Sequence, residues 1–148
     1  MRDVRGDRRK FYEGLVGELI EFAERQFKLS RKAPDGASER DHLASAARQL
    51  ALAGKKLPKA LDPVVNEEQC PEGAEYLWRW LLEIVMGIDG NGFAPPVISW
   101  AHLDAWCRLR GVALEPWEAL ALVQLGVIRA VVLSEKTNTP TPGGRSNG

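Results

Sequence analysis

The sequence has few of the residues that build metal sites and disulfide frameworks. Its 148 residues include two cysteines, Cys70 and Cys107, and two histidines, His42 and His102. These residues lack the spacing of a ligand set, and His102 and Cys107 are turned away from each other on a helix. The sequence therefore predicts no metal, no cofactor and no disulfide, and it favours a reducing compartment.

An uninterrupted apolar segment long enough to span a bilayer is also lacking. The best candidate, residues 119–133, is broken by Gln124 and Arg129. The N-terminus is basic, but no apolar segment of the kind found in signal peptides follows it. We therefore expect no membrane partner and a cytoplasmic location.

The sequence has no excess of charge of one sign, because its formal net charge is zero. That balance conceals an asymmetry: residues 1–40 carry ten basic and eight acidic side chains, whereas residues 71–135 carry four basic and eight acidic ones. Since nucleic-acid affinity depends on neutralising phosphates, the acidic second part is a poor candidate for binding DNA or RNA.

Apolar residues recur with helical periodicity along most of the chain, which predicts an all-α fold. A first helix over 11–28 has an apolar residue at every fourth position, with Val16 and Ile20 widening the stripe. A second helix begins at Ser38 and stops at Gly54. Three more are expected at about 72–86, 99–110 and 116–134.

These helices predict a small domain of three core helices with an N-terminal helical arm. Ser99 and Pro116 are placed to begin the last two helices, and Gly111 to end the first of that pair. The expected segments are a frayed start (1–10), a helical arm (11–57), a proline-containing linker (58–71), the core helical domain (72–135) and a disordered tail (136–148).

The two helices that meet at Gly111 have the order of a helix-turn-helix. The turn after it reads Glu115-Pro116-Trp117-Glu118, which is acidic and apolar, whereas recognition helices read bases with Arg, Lys, Asn or Gln. A DNA-binding regulator therefore remains only an alternative. No set of side chains fits a nucleophile elbow or an acid–base pair, so we expect no enzymatic activity.

The five tryptophans allow two interpretations: a tryptophan-rich core, or a groove that binds a partner helix. The last helix has more apolar surface than three helices can cover, which requires the arm, self-association or a client. We predict that the partner-binding residues lie on the core helices, namely Trp78, Trp80, Trp100, Trp106, Trp117, Leu120, Val123 and Ile128.

Pro71 and five short segments that follow it carry a family resemblance. The segments are YLWRWLLEI at 76–84, GNGF at 90–93, ISW at 98–100, LDAW at 103–106 and LEPWE at 114–118. Together they resemble the tail assembly chaperones of long-tailed bacteriophages and prophage-derived elements. The resemblance extends over about 40–135, and its most specific part is the ordered pair of ISW and LEPWE, with Ser99, Pro116 and Glu118 as motif residues.

The resemblance implies a non-enzymatic protein that acts in the host bacterial cytoplasm during virion assembly. Such chaperones coat the helical tape measure protein, keep it soluble and help the tail tube protein to polymerise around it. They leave before the particle is complete. The alternative is a structural or scaffolding tail component that stays in the particle.

The last helix departs from the family pattern at Leu125-Gly126. A glycine inside a helix costs about 1 kcal/mol relative to alanine, so this one either permits a close helix crossing or marks a kink. For a tape measure helix we expect an apolar groove with an acidic rim drawn from Glu83, Asp104, Glu115 and Glu118.

Overall fold

The computed structural model describes residues 4–62, 68–88, 92 and 94–135. Within them the chain forms five α-helices and no strand, which confirms the all-α fold class. The helices are α1 (Val4–Ser30), α2 (Glu39–Leu52), α3 (Glu75–Met86), α4 (Trp100–Arg110) and α5 (Pro116–Ser134), with a short 3-10 turn at Lys59–Leu61. The predicted tail (136–148), residues 1–3 of the expected frayed start, residues 63–67 of the predicted linker and residues 89–91 and 93 lie outside the described residues.

Local chemistry sets most of the helix ends. Ser38 caps α2 by accepting the N–H of Asp41 at 3.2 Å, and Ser99 caps α4 in the same way. Gly111 ends α4 with a φ of 66°, a conformation that favours glycine, and Pro116 occupies the first turn of α5. These predicted boundaries are confirmed.

Helix α1 begins at Val4, seven residues before the predicted start, so much of the expected frayed segment is helical. Arg and Lys are good helix formers, and Arg9 pairs with Glu13 one turn later at 3.0 Å. This segment has no apolar stripe to bury in the core, but its alternating charges are compatible with a helix.

The core contains α1 as well as the three predicted core helices. Phe22 and Phe27 of α1 are both 5% exposed, and their rings lie 5.1 and 5.5 Å from the ring of Trp78 on α3. By contrast, α2 has no buried residue and lies against α1. The sequence placed both N-terminal helices in an arm. The structure instead adds α1 to the core, because its apolar stripe packs along α5 and α3.

Helices α1 and α5 run parallel and form the most extensive helix pair in the structure. At their N-terminal ends Tyr12 stacks on Trp117, with ring centroids 4.3 Å apart and planes 14° apart. At their C-terminal ends Arg31 pairs with Glu135 at 3.5 Å. The parallel arrangement brings the two helix N-termini to the same end of the domain.

Gly126 permits a close approach rather than marking a kink. Helix α5 continues through it from Pro116 to Ser134. A Cβ at Gly126 would lie 2.9 Å from both Cβ and Cγ1 of Ile98, which is 2% exposed. The glycine therefore lets the segment before α4 lie directly on α5. The close contact is not the predicted helix crossing, because Ile98 precedes α4 and is not in a helix.

Helix α5 is the one helix of the described residues that is long and apolar enough to cross a membrane by length and composition. About 39% of its apolar window is buried inside the domain, and Leu122 and Leu125 are fully buried. A core helix of a globular domain has the same composition, so this property is weak support for a membrane segment.

Acid is expected to weaken the contact between α3 and α4. Hydrogen bonds from Arg110 and then from Trp106 hold the pKa of Glu83 below its ordinary value of 4.5. Because the folded state binds this proton less readily than the unfolded chain, the stabilisation is complete above about pH 5 and is lost as the pH falls through the lowered pKa.

We therefore expect Glu83→Gln to be less stable than wild type in urea at neutral pH, and we expect this deficit to shrink as the pH falls below about 4. The matched control is Glu18→Gln, an exposed α1 residue that makes no ion pair within the described part of the chain. A Glu83→Gln deficit that does not change with pH would contradict this role.

Candidate functional site: a groove between α1 and α5

An apolar groove of about 670 Å³ lies between the N-terminal halves of α1 and α5. Its floor and walls are apolar, and polar side chains are confined to its edges. The apolar lining is Tyr12, Val16, Gly17, Ile20, Trp117, Leu120 and Ala121, and the polar edge is Arg8, Arg9, Glu13 and Gln124. Its volume is within the range of protein ligand sites, about 300–1,000 Å³.

Gly17 keeps part of the groove open. A Cβ at this position would meet no atom within 4 Å, so no packing contact requires a glycine here. A glycine inside a helix nevertheless costs about 1 kcal/mol relative to alanine. Gly14 has the same open surroundings but does not line the groove.

The predicted motif residues at the start of α5 hold Trp117 in place. The Trp117 indole N–H donates to Glu115 at 2.8 Å, while the Glu115 backbone N–H donates to the Glu118 carboxylate at 2.8 Å. Glu118 is 8% exposed. Burial, and then the hydrogen bond to Glu118, raise the pKa of Tyr76 well above its usual range. Pro116 and Glu118 thus fix one wall of the groove.

The second motif, at Ser99, has a capping role. Its hydroxyl accepts the His102 backbone N–H at 3.1 Å, and His102 Nδ1 accepts the Ser99 backbone N–H at 3.1 Å. The adjacent Trp100 is 60% exposed and does not line the groove. Ser99 therefore sets the start of α4 rather than contributing a surface group.

The predicted partner-binding residues do not form one surface. Trp78 lies against Phe22 and Phe27, whereas Trp80 contacts Tyr76 and Trp106. Of the predicted set, the groove includes Trp117 and Leu120. The others are dispersed: Trp106 is buried at 9% exposure, Trp78, Trp80, Val123 and Ile128 are half-buried against the core, and Trp100 is exposed.

Sequence reasoning missed the α1 side of the groove. Tyr12, Val16 and Ile20 lie one turn apart on α1 and form its wall. The sequence predicts that Val16 and Ile20 belong to an apolar stripe, and the i, i+4 spacing of all three residues is the signal for this wall. The stripe itself did not reveal which helix it faces.

The expected acidic rim is not found around this groove. Glu83 bonds Arg110 and Trp106, Asp104 pairs with Arg108 at 3.3 Å, and Glu115 and Glu118 serve the start of α5. Each carboxylate has a partner within the chain because each lies within reach of a nearby donor. The charged side chains at the groove edge are instead those of α1.

Part of the outer face of α5 remains uncovered. Leu120, Val127 and Val131 are 48%, 45% and 52% exposed. They lie on one side of the helix, since their spacings of seven and four residues return to the same face. This exposed row begins at the groove and continues along α5, so some of the surplus apolar surface inferred from the sequence is still accessible with α1 in place.

No arrangement suited to metal binding or thiol chemistry occurs in the part of the chain that the structure describes. No group of three or more His, Cys, Asp or Glu side chains converges there. Burial raises the pKa of both Cys70 and Cys107, so both thiols remain protonated at neutral pH. What the groove provides is apolar contact area with charges along one edge.

Comparison with known proteins gives one family. A family model described as phage tail assembly chaperone matches residues 50–128, which are 79 of the 148 residues. The matched range begins within α2 and ends within α5, so it includes the Ser99 and Pro116 motifs. No curated protein and no solved structure matches the chain. The family resemblance is thereby confirmed, and the chain belongs to the phage tail assembly chaperone family.

Proposed function

We propose that the chain binds helical segments of the tape measure protein in the groove between α1 and α5 and keeps that protein soluble while the tail is assembled. The observation that carries the proposal is the groove itself: an apolar channel between two parallel helices, with Trp117 and Tyr12 at one end. Tape measure proteins are long amphipathic helices, and such a helix cannot bury its apolar face alone.

The chemistry of the groove suits a helical partner. Amphipathic helices bind in apolar grooves through residues at helical spacing, and binding energy concentrates at buried aromatic anchors. Trp117 is such an anchor, because Glu115 and Tyr12 fix its orientation before a client arrives. The exposed row of Leu120, Val127 and Val131 extends the apolar contact beyond the groove.

The proposed role needs no catalytic group, and we propose that the protein is non-enzymatic and acts in the cytoplasm of the bacterial host. A contact with the tail tube protein, and self-association through the exposed α5 row, are further parts of the proposal. A regulator that reads DNA is less well supported, since the first turn of α5 is acidic and Trp117 and Glu118 are held against α1 and α3.

Co-expression with the tape measure protein encoded beside it in the phage or prophage tests this proposal. We expect the tape measure to stay in the soluble fraction when this chain is present and to aggregate when it is absent. Equal solubility in both cases would contradict the proposal. Mass spectrometry of purified particles then separates a chaperone, which is absent, from a retained structural or scaffolding component, which is present in stoichiometric amount.

A further inference from the structure

The charges at the edge of the groove are distributed unevenly. Arg8, Arg9 and Glu13 lie on the α1 side, whereas Gln124 is the polar residue contributed by α5. A client helix in the groove would therefore meet charged groups along one flank and uncharged groups along the other.

The uncompensated charge on the α1 side is positive. Arg9 pairs with Glu13 at 3.0 Å, but both side chains are largely exposed and the pair is therefore weak, so Arg9 can pair with a client carboxylate instead. Arg8 makes no ion pair among the described residues, and its side chain is exposed. Asp7 and Lys10 are exposed in the same turn of α1, and their opposite charges cancel, so the charge of Arg8 remains uncompensated.

Two carboxylates, Glu115 and Glu118, lie at the start of α5 near the end of the groove where Tyr12 meets Trp117. They bond the Trp117 indole and the Glu115 backbone N–H, and they do not line the groove. Among the side chains that line the groove, Arg8 and Arg9 outnumber Glu13, so this edge favours an anionic neighbour.

We infer that the groove selects an amphipathic helix with acidic residues along one flank of its apolar row, and that this flank lies beside Arg8 and Arg9. The inference rests on the proposed function and specifies the chemistry of the client segment. Apolar contact supplies most of the affinity, and the charges choose among the many amphipathic segments of a long helical protein and fix the side on which each one lies.

Two synthetic helical peptides test the inference. They share one row of leucines at i, i+4 spacing and carry either Glu or Lys along one flank. We expect the full chain to bind the Glu peptide about fivefold more tightly than the Lys peptide at low salt, because two exposed ion pairs contribute a difference of this size. The preference should shrink at about 0.5 M salt, where the screening length falls to a few ångströms.

Charge reversal shows whether the preference arises at the groove. The Arg8→Glu, Arg9→Glu double variant is expected to prefer the Lys peptide. The matched control is Lys55→Glu, Lys56→Glu, which makes the same change in net charge at exposed positions outside the groove and should keep the Glu preference. Circular dichroism verifies that both variants remain helical.

Two results would overturn the inference: wild-type chain that binds both peptides equally, or a preference that changes to the same extent in both double variants. The proposed function fails differently. If Gly17→Leu, which fills the groove, leaves the binding of both peptides unchanged, the groove is not the binding site. If Gly17→Leu weakens the binding of both peptides equally and the wild-type chain prefers neither, the groove is the binding site but its charges do not select the client.

Discussion

Gly17→Leu is expected to abolish the chaperone activity while making the protein more stable. Leucine is favoured over glycine in a helix interior by roughly 0.5–1 kcal/mol, and nothing lies within 4 Å of the new Cβ, so the folded state gains stability. The same side chain occupies the groove where we place the client. We expect at least about a tenfold loss of affinity for tape measure segments, because a loss of about 1.4 kcal/mol of binding free energy lowers the affinity tenfold.

Gly14→Leu is the matched control. It makes the same substitution three residues earlier on α1, also with no atom within 4 Å, and it does not line the groove. Both variants should therefore unfold at higher denaturant concentration than wild type, and only Gly17→Leu should fail to keep the tape measure soluble. If the two variants behave alike in the solubility assay, the groove does not carry the activity.

Gly126→Ala is expected to destabilise the fold, although the same change stabilises an ordinary helix position. The new Cβ would be 2.9 Å from Cβ and Cγ1 of Ile98. Ile98 Cβ is attached directly to the backbone, so the segment before α4 must move away from α5. Overpacking of this kind costs about 1–3 kcal/mol, which outweighs the gain of about 1 kcal/mol in helix propensity.

The measurement is thermal unfolding of Gly126→Ala beside Gly14→Ala. Gly14→Ala should raise Tm and Gly126→Ala should lower it, by roughly 2–4 °C for each kcal/mol in a chain of this size. A double-mutant cycle with Ile98→Gly should give a favourable coupling of about 1 kcal/mol, because Cβ, Cγ1 and Cδ1 of Ile98 are then all absent. A rise in Tm for both glycine variants would contradict the close contact.

The helix ends could be predicted because they depend on chemistry within a few residues. Ser99, Gly111 and Pro116 each act through a local backbone conformation or hydrogen bond, and the structure places each where the sequence did. The start of α1 was missed because it depends on Arg9 and Glu13 stabilising a segment that has no apolar pattern.

The groove could not be predicted because it is a space between two helices that are far apart in sequence. The pattern of Val16 and Ile20 indicates an apolar face, but that this face lies beside Trp117 depends on the parallel packing of α1 and α5. The tryptophans show the same limit. Trp78 and Trp117 both lie on predicted core helices, yet Trp78 packs on Phe22 and Phe27 in the core while Trp117 lines a surface.

Site-specific photo-crosslinking locates the client on the chaperone. A photoreactive amino acid is placed either at Leu120, which is 48% exposed and lines the groove, or at Leu109 on α4, which is 87% exposed and lies outside it. With co-expressed tape measure protein, we predict a crosslink from position 120 and none from position 109. Crosslinking from position 109 with none from position 120 would contradict the assignment of the groove as the client-binding site.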